Sequence, residues 1–211
     1  LAAICSNDVL PIGKFKNKLY ALDSTTLDLC IKIFDWATFR RTKGAVKLHL
    51  QLDTDGCLPK YAYISNGNVH DKQALEHFTF EKGASYTFDK GYNDYSFYIC
   101  LTENGCTFVT RIKENAKYDI IRKNAHKQNQ GVLEDLTITF SGFYAEEECP
   151  SEMRLVRYFD EENDREFEFL TNNFNLSALT IAKIYKARWK IENFFKDIKQ
   201  NFKIKTFVGT S

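Results

Sequence analysis

Tyr185, Arg188, Glu192 and Lys199 lie three, four and seven positions apart in the segment YKARWKIENFFKDIK. On an α-helix, at about 100° and 1.5 Å per residue, these steps gather the four side chains into an arc of roughly 60° and a stripe about 21 Å long. One carboxylate between two cations and a phenol suits a metal ion held against a phosphate. The ordinary alternative is a solvated flank, with Arg188 and Glu192 as an i, i+4 pair worth about 0.3–0.5 kcal/mol. Two further acids follow short apolar or aromatic runs: Asp23 after Leu19 to Leu22, and Asp89 after SYTF. Each is read as closing a buried strand, although an Asx turn is the commoner role for such an acid. Three carboxylates on three elements, brought to one sheet edge, can hold hard divalent cations, which prefer oxygen ligands. Two such ions about 4 Å apart activate a nucleophilic oxygen and stabilise the leaving oxygen of a phosphodiester.

The elements that must position these acids can be read from periodicity. Beside the charged stripe runs an apolar one, Ile184, Ala187, Ile191, Phe195 and Ile198, so one amphipathic helix is expected, capped by Ser177 or Thr180. In AVKLHLQLD, Val46, Leu48, Leu50 and Leu52 alternate with Lys47, His49 and Gln51, the pattern of a half-buried strand. Asp53-Thr54-Asp55-Gly56 is a tight turn and LPKYAYIS the returning strand. A short helix near 71–78 with Asp71 as N-cap, a strand SYTF, a helix over 93–104 and a strand over 106–112 complete a β-β-β-α-β-α-β order. LEDLTITF, MRLVRYFD and REFEFLTN then read as a small β insertion. The expected division is 1–17 as the tail of an upstream segment, 18–112 as the first part of the core, 113–175 as the insertion, and 176–211 as the core helix carrying Glu192.

The chain has 211 residues, 44% of them hydrophobic, enough for a real core in one elaborated domain. Its net charge of +1 hides strong local fields. Residues 181–205 hold eight Lys/Arg against two acids, 32–47 hold five against one, and 144–168 hold ten acids against three Arg. Local charge of this kind steers a polyanion. The six cysteines form no CxxC pair and no histidine stands at zinc-ligand spacing, so a reduced set of small buried residues is expected. No signal peptide or 18-residue apolar run occurs, which points to a cytoplasmic protein; the start at Leu1, without Met, suggests an excised piece of something longer.

With these residues assembled, the sequence resembles the DDE transposases of bacterial insertion sequences, in the hairpin-forming insertion-sequence-four family. The resemblance rests on YALDSTT around Asp23, FDKGYND around Asp89, and Tyr185-x2-Arg188-x3-Glu192-x6-Lys199, which matches the Tyr-Arg-Glu-Lys signature at every spacing. VTRIK at 109–113, FLTNN at 169–173 and IKTFVGTS at 204–211 also look like family text. The resemblance implies an α/β (α+β) fold: a ribonuclease-H-like, mixed five-stranded sheet flanked by helices, with an all-β insertion before the last catalytic helix. It implies cut-and-paste transposition through a DNA hairpin, with Asp23, Asp89 and Glu192 as catalytic and metal-binding residues for two Mg²⁺ or Mn²⁺ ions. By the same resemblance Tyr185, Arg188 and Lys199 grip the transposon end near the scissile phosphate, and the partners are double-stranded DNA, at transposon ends and target, and a second copy in a homodimeric synaptic complex. It implies no membrane, no small-molecule cofactor and a bacterial, nucleoid-associated location. Against that family pattern, no N-terminal DNA-binding segment is recognisable in this sequence and twelve residues follow Lys199 in it, as expected of an excised piece.

Other positions carry further expectations. Arg111 and Lys113, at the end of the fifth strand, are candidates for DNA contact or for plain solvation. Arg40, Arg41, Lys43 and Lys47 form either a second phosphate track or an ordinary basic turn. His70 is a candidate neighbour of the site, Glu146 to Glu148 a solvated turn, and Trp189 and Phe194 packing residues rather than base-stacking ones. Two other functions stay open: a catalytically idle DNA-binding remnant, and a metal-dependent nuclease on another substrate.

Overall fold

The alternating runs pair into one mixed sheet in a computed structural model of the chain, which describes residues 17–29, 38–40, 43–126, 130–142, 149 and 151–201. Residues 1–16, Cys30, Arg41, the acidic run 146–148 and the segment 204–211 lie outside the described residues, as do the side chains of Arg40 and Lys43. The described strands are β1 (Leu19–Leu29), β2 (Thr38–Arg40), β3 (Lys43–Asp53), β4 (Leu58–Asn66), β5 (Ser85–Phe88), β6 (Thr107–Arg111), β7 (Tyr118–Lys123), β8 (Val132–Phe140), β9 (Met153–Asp160) and β10 (Arg165–Thr171). The helices are α1 (Asp71–Ala74), α2 (Tyr95–Glu103), α3 (Ala178–Lys186) and α4 (Trp189–Asn201). Strand order is β2-β3-β1-β5-β6-β10-β9-β8-β7, with β4 also pairing β3.

The mixed α/β class stands, but the sheet is larger than the five strands expected. β4, β3, β1, β5 and β6 do lie side by side, with β1, β5 and β6 parallel. β10 then pairs antiparallel with β6 and carries β9, β8 and β7 onward, so the strands read as an insertion continue the same sheet, which has ten strands among the described residues. An open β6 edge would present a row of unpaired backbone groups, and β10 satisfies them.

Alternation along β1 assigns its two faces. Tyr20 and Leu22 join Tyr86, Phe88 and Phe108 in a cluster covered by Ala74 of α1 and by Phe97, Tyr98 and Leu101 of α2. On the other face, Leu19 packs with Val109, Phe169 and the α3 residues Ile181 and Ile184, while Ala21 packs with Leu50, Leu52 and the α4 residues Ile191, Phe194 and Phe195. β3 is therefore not half-buried: its polar face is covered as well, and His49 and Gln51 are 0% and 1% exposed.

Three further expectations are corrected. β1 does not stop at Asp23. Its parallel pairing with β5 ends at Leu22↔Phe88, but its antiparallel pairing with β3 runs on to Leu29↔Gly44. Asp71 is not the N-cap of α1; His70 takes that position, in extended backbone, and Asp71 opens the helix. The C-terminal helix is not continuous. Ser177 caps α3 by accepting from the Thr180 N–H, but the chain then turns at Ala187–Arg188 through tight bonds such as Arg188 N–H to Tyr185 C=O at 3.0 Å and Ile191 N–H to Arg188 C=O at 3.1 Å. The break lets each half bury its apolar side on a different part of the sheet, α3 on the β6/β9/β10 region and α4 on β1 and β3.

Candidate active site

Because β1 and β5 are parallel and in register, residues Asp23 and Asp89 follow a matched pair, Leu22 and Phe88. By alternation both fall on the side of the sheet that α3 and α4 cover. Asp89 accepts from the Lys90 N–H at 2.7 Å and so caps a short 3₁₀ turn, Lys90–Tyr92. Asp23 accepts from the Ser24 N–H at 2.8 Å.

Arg188, in the turn between α3 and α4, bridges the rest. Its Nη1 donates to Asp23 Oδ2 at 3.2 Å, and its Nη2 lies 2.6 Å from Glu192 Oε1. Arg188 is 6% exposed, so this guanidinium is held between two carboxylates away from bulk water. Asp89 has its own cation, Arg111 of β6, whose Nη2 donates to Asp89 Oδ1 at 2.8 Å. Tyr185, at the end of α3, lies between the two cations: Arg188 stands 5.3 Å and Arg111 5.8 Å from its ring centroid. Its hydroxyl reaches toward Asp89 Oδ1 at 3.5 Å.

The electrostatics follow from this arrangement. Burial pushes the Asp23 carboxyl up to about 6; the Ser24 N–H and Arg188 oppose that rise, while the charges of Glu192 and Asp89 add to it. Burial also works on Asp89, but there the Arg111 hydrogen bond and the Lys90 N–H prevail and hold it below the usual carboxylate range. Burial raises the Tyr185 phenol against the pull of both arginines.

Of the residues singled out by sequence, the structure therefore brings Asp23, Asp89, Glu192, Tyr185, Arg188 and Arg111 together. Lys199 lies exposed in the last turn of α4, and Lys113 sits beyond β6 with its Nζ donating to the Asn93 carbonyl at 3.0 Å. His70 is exposed at the start of α1, under the opposite face, and does not join the acids. Phe194 packs against the sheet as expected, but Trp189 is 41% exposed. Trp189 lines a cavity of about 210 Å³ with Arg111, Tyr158, Phe167, Tyr185 and Arg188. Sequence spacing did not single out Tyr158 or Phe167 for this wall, because they come from strands whose partners the sequence does not reveal.

The three carboxylates offer an all-oxygen donor set, the chemistry of a hard divalent cation. Asp23 and Glu192 share the Arg188 guanidinium, so the donor set fits such an ion in kind. Among the described residues, no three His, Cys, Asp or Glu side chains converge closely enough to hold one; the arginines stand against the acids instead.

The fold has a solved counterpart. It is similar to a chain of the piggyBac transposase synaptic complex with hairpin DNA, determined by cryo-electron microscopy, with a TM-score of 0.50 over 86% of this chain and 40% of the other, at 9% identity. The chain itself belongs to the Transposase DDE domain family, whose model matches residues 14–208. Its relatives include a Sinorhizobium fredii protein named as transposase y4zB, 32% identical over 92% of this chain and 54% of the relative. A Geobacillus stearothermophilus protein named as the transposase of insertion sequence element IS5377 is 28% identical over 98% of this chain and 54% of that relative. A Synechocystis protein named for element IS4SA is 26% identical over 91% and 53%. The chain thus spans about half the length of the curated relatives it matches. Among the described residues, no helix is long and apolar enough to cross a membrane.

Proposed function

We propose that the chain is the catalytic core of a cut-and-paste DNA transposase that acts at transposon ends through a hairpin intermediate. The observation that carries this reading is the placement of Asp23 and Asp89 at matched positions just past the paired stretch of two adjacent parallel strands, with Arg188 joining Asp23 to Glu192. Family membership supports it. In this reading β1 and β3 to β6 form a ribonuclease-H-like core, residues 113–175 are an insertion, and residues 176–211 return to the core.

Asp23, Asp89 and Glu192 are the residues that hold two divalent ions, Mg²⁺ or Mn²⁺. Held there, such ions would supply Lewis-acid activation of the attacking oxygen and charge stabilisation of the leaving one. Arg188, Tyr185 and Lys199 hold the phosphates of the transposon end, with Arg111 and Lys113 on the rim. For Arg188 to take a phosphate it must loosen from Asp23 and Glu192, which frees both carboxylates at the same moment. Water cleaves one strand to give a 3′-OH. That hydroxyl attacks the opposite strand to form a hairpin, the hairpin is opened by water, and the 3′-OH is joined to target DNA. The partners are double-stranded DNA and a second copy of the protein in the synaptic complex, in the bacterial cytoplasm at the nucleoid.

The test is strand cleavage by the purified chain on a labelled duplex carrying the ends of its own element, with Mg²⁺ or Mn²⁺. Asp23→Asn, Asp89→Asn and Glu192→Gln are each expected to lower the rate by on the order of 10³-fold or more. Variants that cut like wild type overturn the assignment. Equal cutting of unrelated DNA or RNA makes the protein a general nuclease, and binding without any cleavage makes it an idle remnant.

A further inference from the structure

The neighbour of Asp23 faces the other way. Ser24 lies under the α1 side of the sheet, and its hydroxyl donates to Asp71 Oδ1 at 2.6 Å, across 47 residues of sequence. The same carboxylate oxygen lies 2.9 Å from Lys47 Nζ and 3.5 Å from His49 Nδ1, both on β3. His49 is anchored in turn, its Nε2 lying 2.9 Å from Ser65 Oγ on β4. The other oxygen, Asp71 Oδ2, faces the turn that follows Asp89: a Cβ built on Gly91 would stand 3.7 Å from it. Tyr92, buried in that turn, has its phenol pushed well above the ordinary value by burial and then by the carboxylates of Asp71 and Asp23. Asp71 therefore sits between the backbone beside Asp23 and the backbone just beyond Asp89.

Burial works to raise the Asp71 pKa, but His49, Ser24 and Lys47 outweigh it and hold this carboxyl well below the usual range. A carboxylate so fully committed on one side of the sheet is an anchor rather than a ligand. A partner bonded to a metal ligand itself typically changes metal affinity by about 10–100-fold when removed; Asp71 acts one residue further out, through Ser24, so the lower end of that range applies.

We propose that Asp71 is a positioning residue: paired with Lys47 and set beside His49, it holds Ser24 through a hydrogen bond and abuts the Gly91–Tyr92 turn, and so fixes the separation of Asp23 and Asp89. The proposal rests on the reading of those two acids as metal ligands. It differs from the N-cap role that the sequence suggests for Asp71, which concerns α1 alone.

The test titrates Mn²⁺ calorimetrically into the full chain, for wild type, Asp71→Asn, Ser24→Ala and Gly131→Ala, with metal-free melting temperatures recorded for each. Asp71→Asn is expected to weaken Mn²⁺ binding by about tenfold or more. Ser24→Ala, which removes one bond of the network and keeps Asp71 charged, is expected to weaken it by a smaller factor, still above twofold. Gly131→Ala, destabilised at the far end of the sheet, should bind as wild type does. If Asp71→Asn fails to fold, Ser24→Ala decides. Affinities of both site variants within twofold of wild type overturn the proposal, as does an equal loss in Gly131→Ala, which would make the effect one of general stability. A wild type without Mn²⁺ binding that Asp23→Asn abolishes overturns the metal reading itself and this inference with it.

Discussion

Arg188 and Asp23 meet across 165 residues of sequence, Nη1 to Oδ2 at 3.2 Å, and the same guanidinium holds Glu192 through Nη2. A planar fork with several donors can serve two carboxylates at once, which a single ammonium does less well. Both Arg188 and Asp23 have side chains largely withdrawn from solvent, at 7% and 19% exposure. Removing the cation leaves Asp23 partly buried beside two other acids. Arg188→Ala is therefore expected to cost about 3 kcal/mol of folding stability at neutral pH, with Arg188→Lys intermediate. Urea midpoints of the three proteins check this; a loss below about 0.5 kcal/mol in Arg188→Ala would mean that the bridge contributes no more than a surface pair.

A second buried pair sets the position of α3 and, through it, of Tyr185 and Arg188. Arg154 of β9 donates to both oxygens of Asp135 on β8, at 2.9 and 2.6 Å, and its Nη1 donates to the carbonyls of Asn173 and Leu176 just before α3. Burial opposes the Asp135 charge, but the hydrogen bonds from Arg154 and Asn124 hold this carboxyl below the usual carboxylate range. A depressed carboxyl contributes stability that is present above its unfolded value and is lost as pH falls through the folded one. Asp135→Asn is expected to cost about 3–5 kcal/mol at pH 7 and at pH 5. The gap to wild type should narrow below about pH 4, where the unfolded chain begins to take up the proton, and should close as pH falls through the depressed folded value. Urea unfolding at pH 7, 5 and 3 measures it; a gap that stays constant to pH 3 would assign the loss to packing.

These residues show which parts of the molecule the sequence makes legible. Asp23 and Asp89 stand out because each follows a short apolar or aromatic run, and the side-chain alternation along β1 and β3 is plain in the letters. The break at Ala187–Arg188 is not, because the helical period runs unbroken through YKARWK with no Gly or Pro to mark it. The interruption comes from α3 and α4 docking on different clusters, and that docking is tertiary. The continuation of the sheet through β6 and β10 is hidden for the same reason, since a strand's neighbours are not encoded in its own period. His49 reads as a solvated residue in the alternation of β3, yet it is buried, because its partners Ser65 and Asp71 lie on other elements.

Gly131 joins the chain to β8 at φ +85°, and a Cβ there would lie 2.3 Å from the Phe159 carbonyl oxygen, a backbone atom that cannot step aside. The Phe159 N–H also donates to the Gly131 carbonyl at 2.7 Å, so the two segments are fixed against each other. Gly83 is the natural control: its φ is +81°, but nothing lies within 4 Å of a Cβ there. Gly83→Ala is expected to cost about 1–2 kcal/mol, the backbone term alone. Gly131→Ala should cost at least about 1 kcal/mol more, because overpacking adds to that term. Denaturant midpoints of the two variants give the difference directly; equal losses would show that the β8–β9 junction yields to the added methyl.

Divalent metal should stabilise the folded chain, because the three acids lie far apart in sequence and come to one side of the sheet only when it folds. A ligand that binds only the native state at about 100 times its Kd adds about 2.7 kcal/mol. For a chain of this size that corresponds to a rise in melting temperature of roughly 5–11 °C. Part of the gain is offset, since Arg188 must give up Asp23 and Glu192, so the observed rise should fall in the lower half of that range and should increase in a folded Arg188→Lys variant. Asp89→Asn should abolish it by removing one of the acids. Thermal melts in chelator and in millimolar Mn²⁺ make the comparison; a shift that survives in both Asp23→Asn and Asp89→Asn would place the ion elsewhere on the protein.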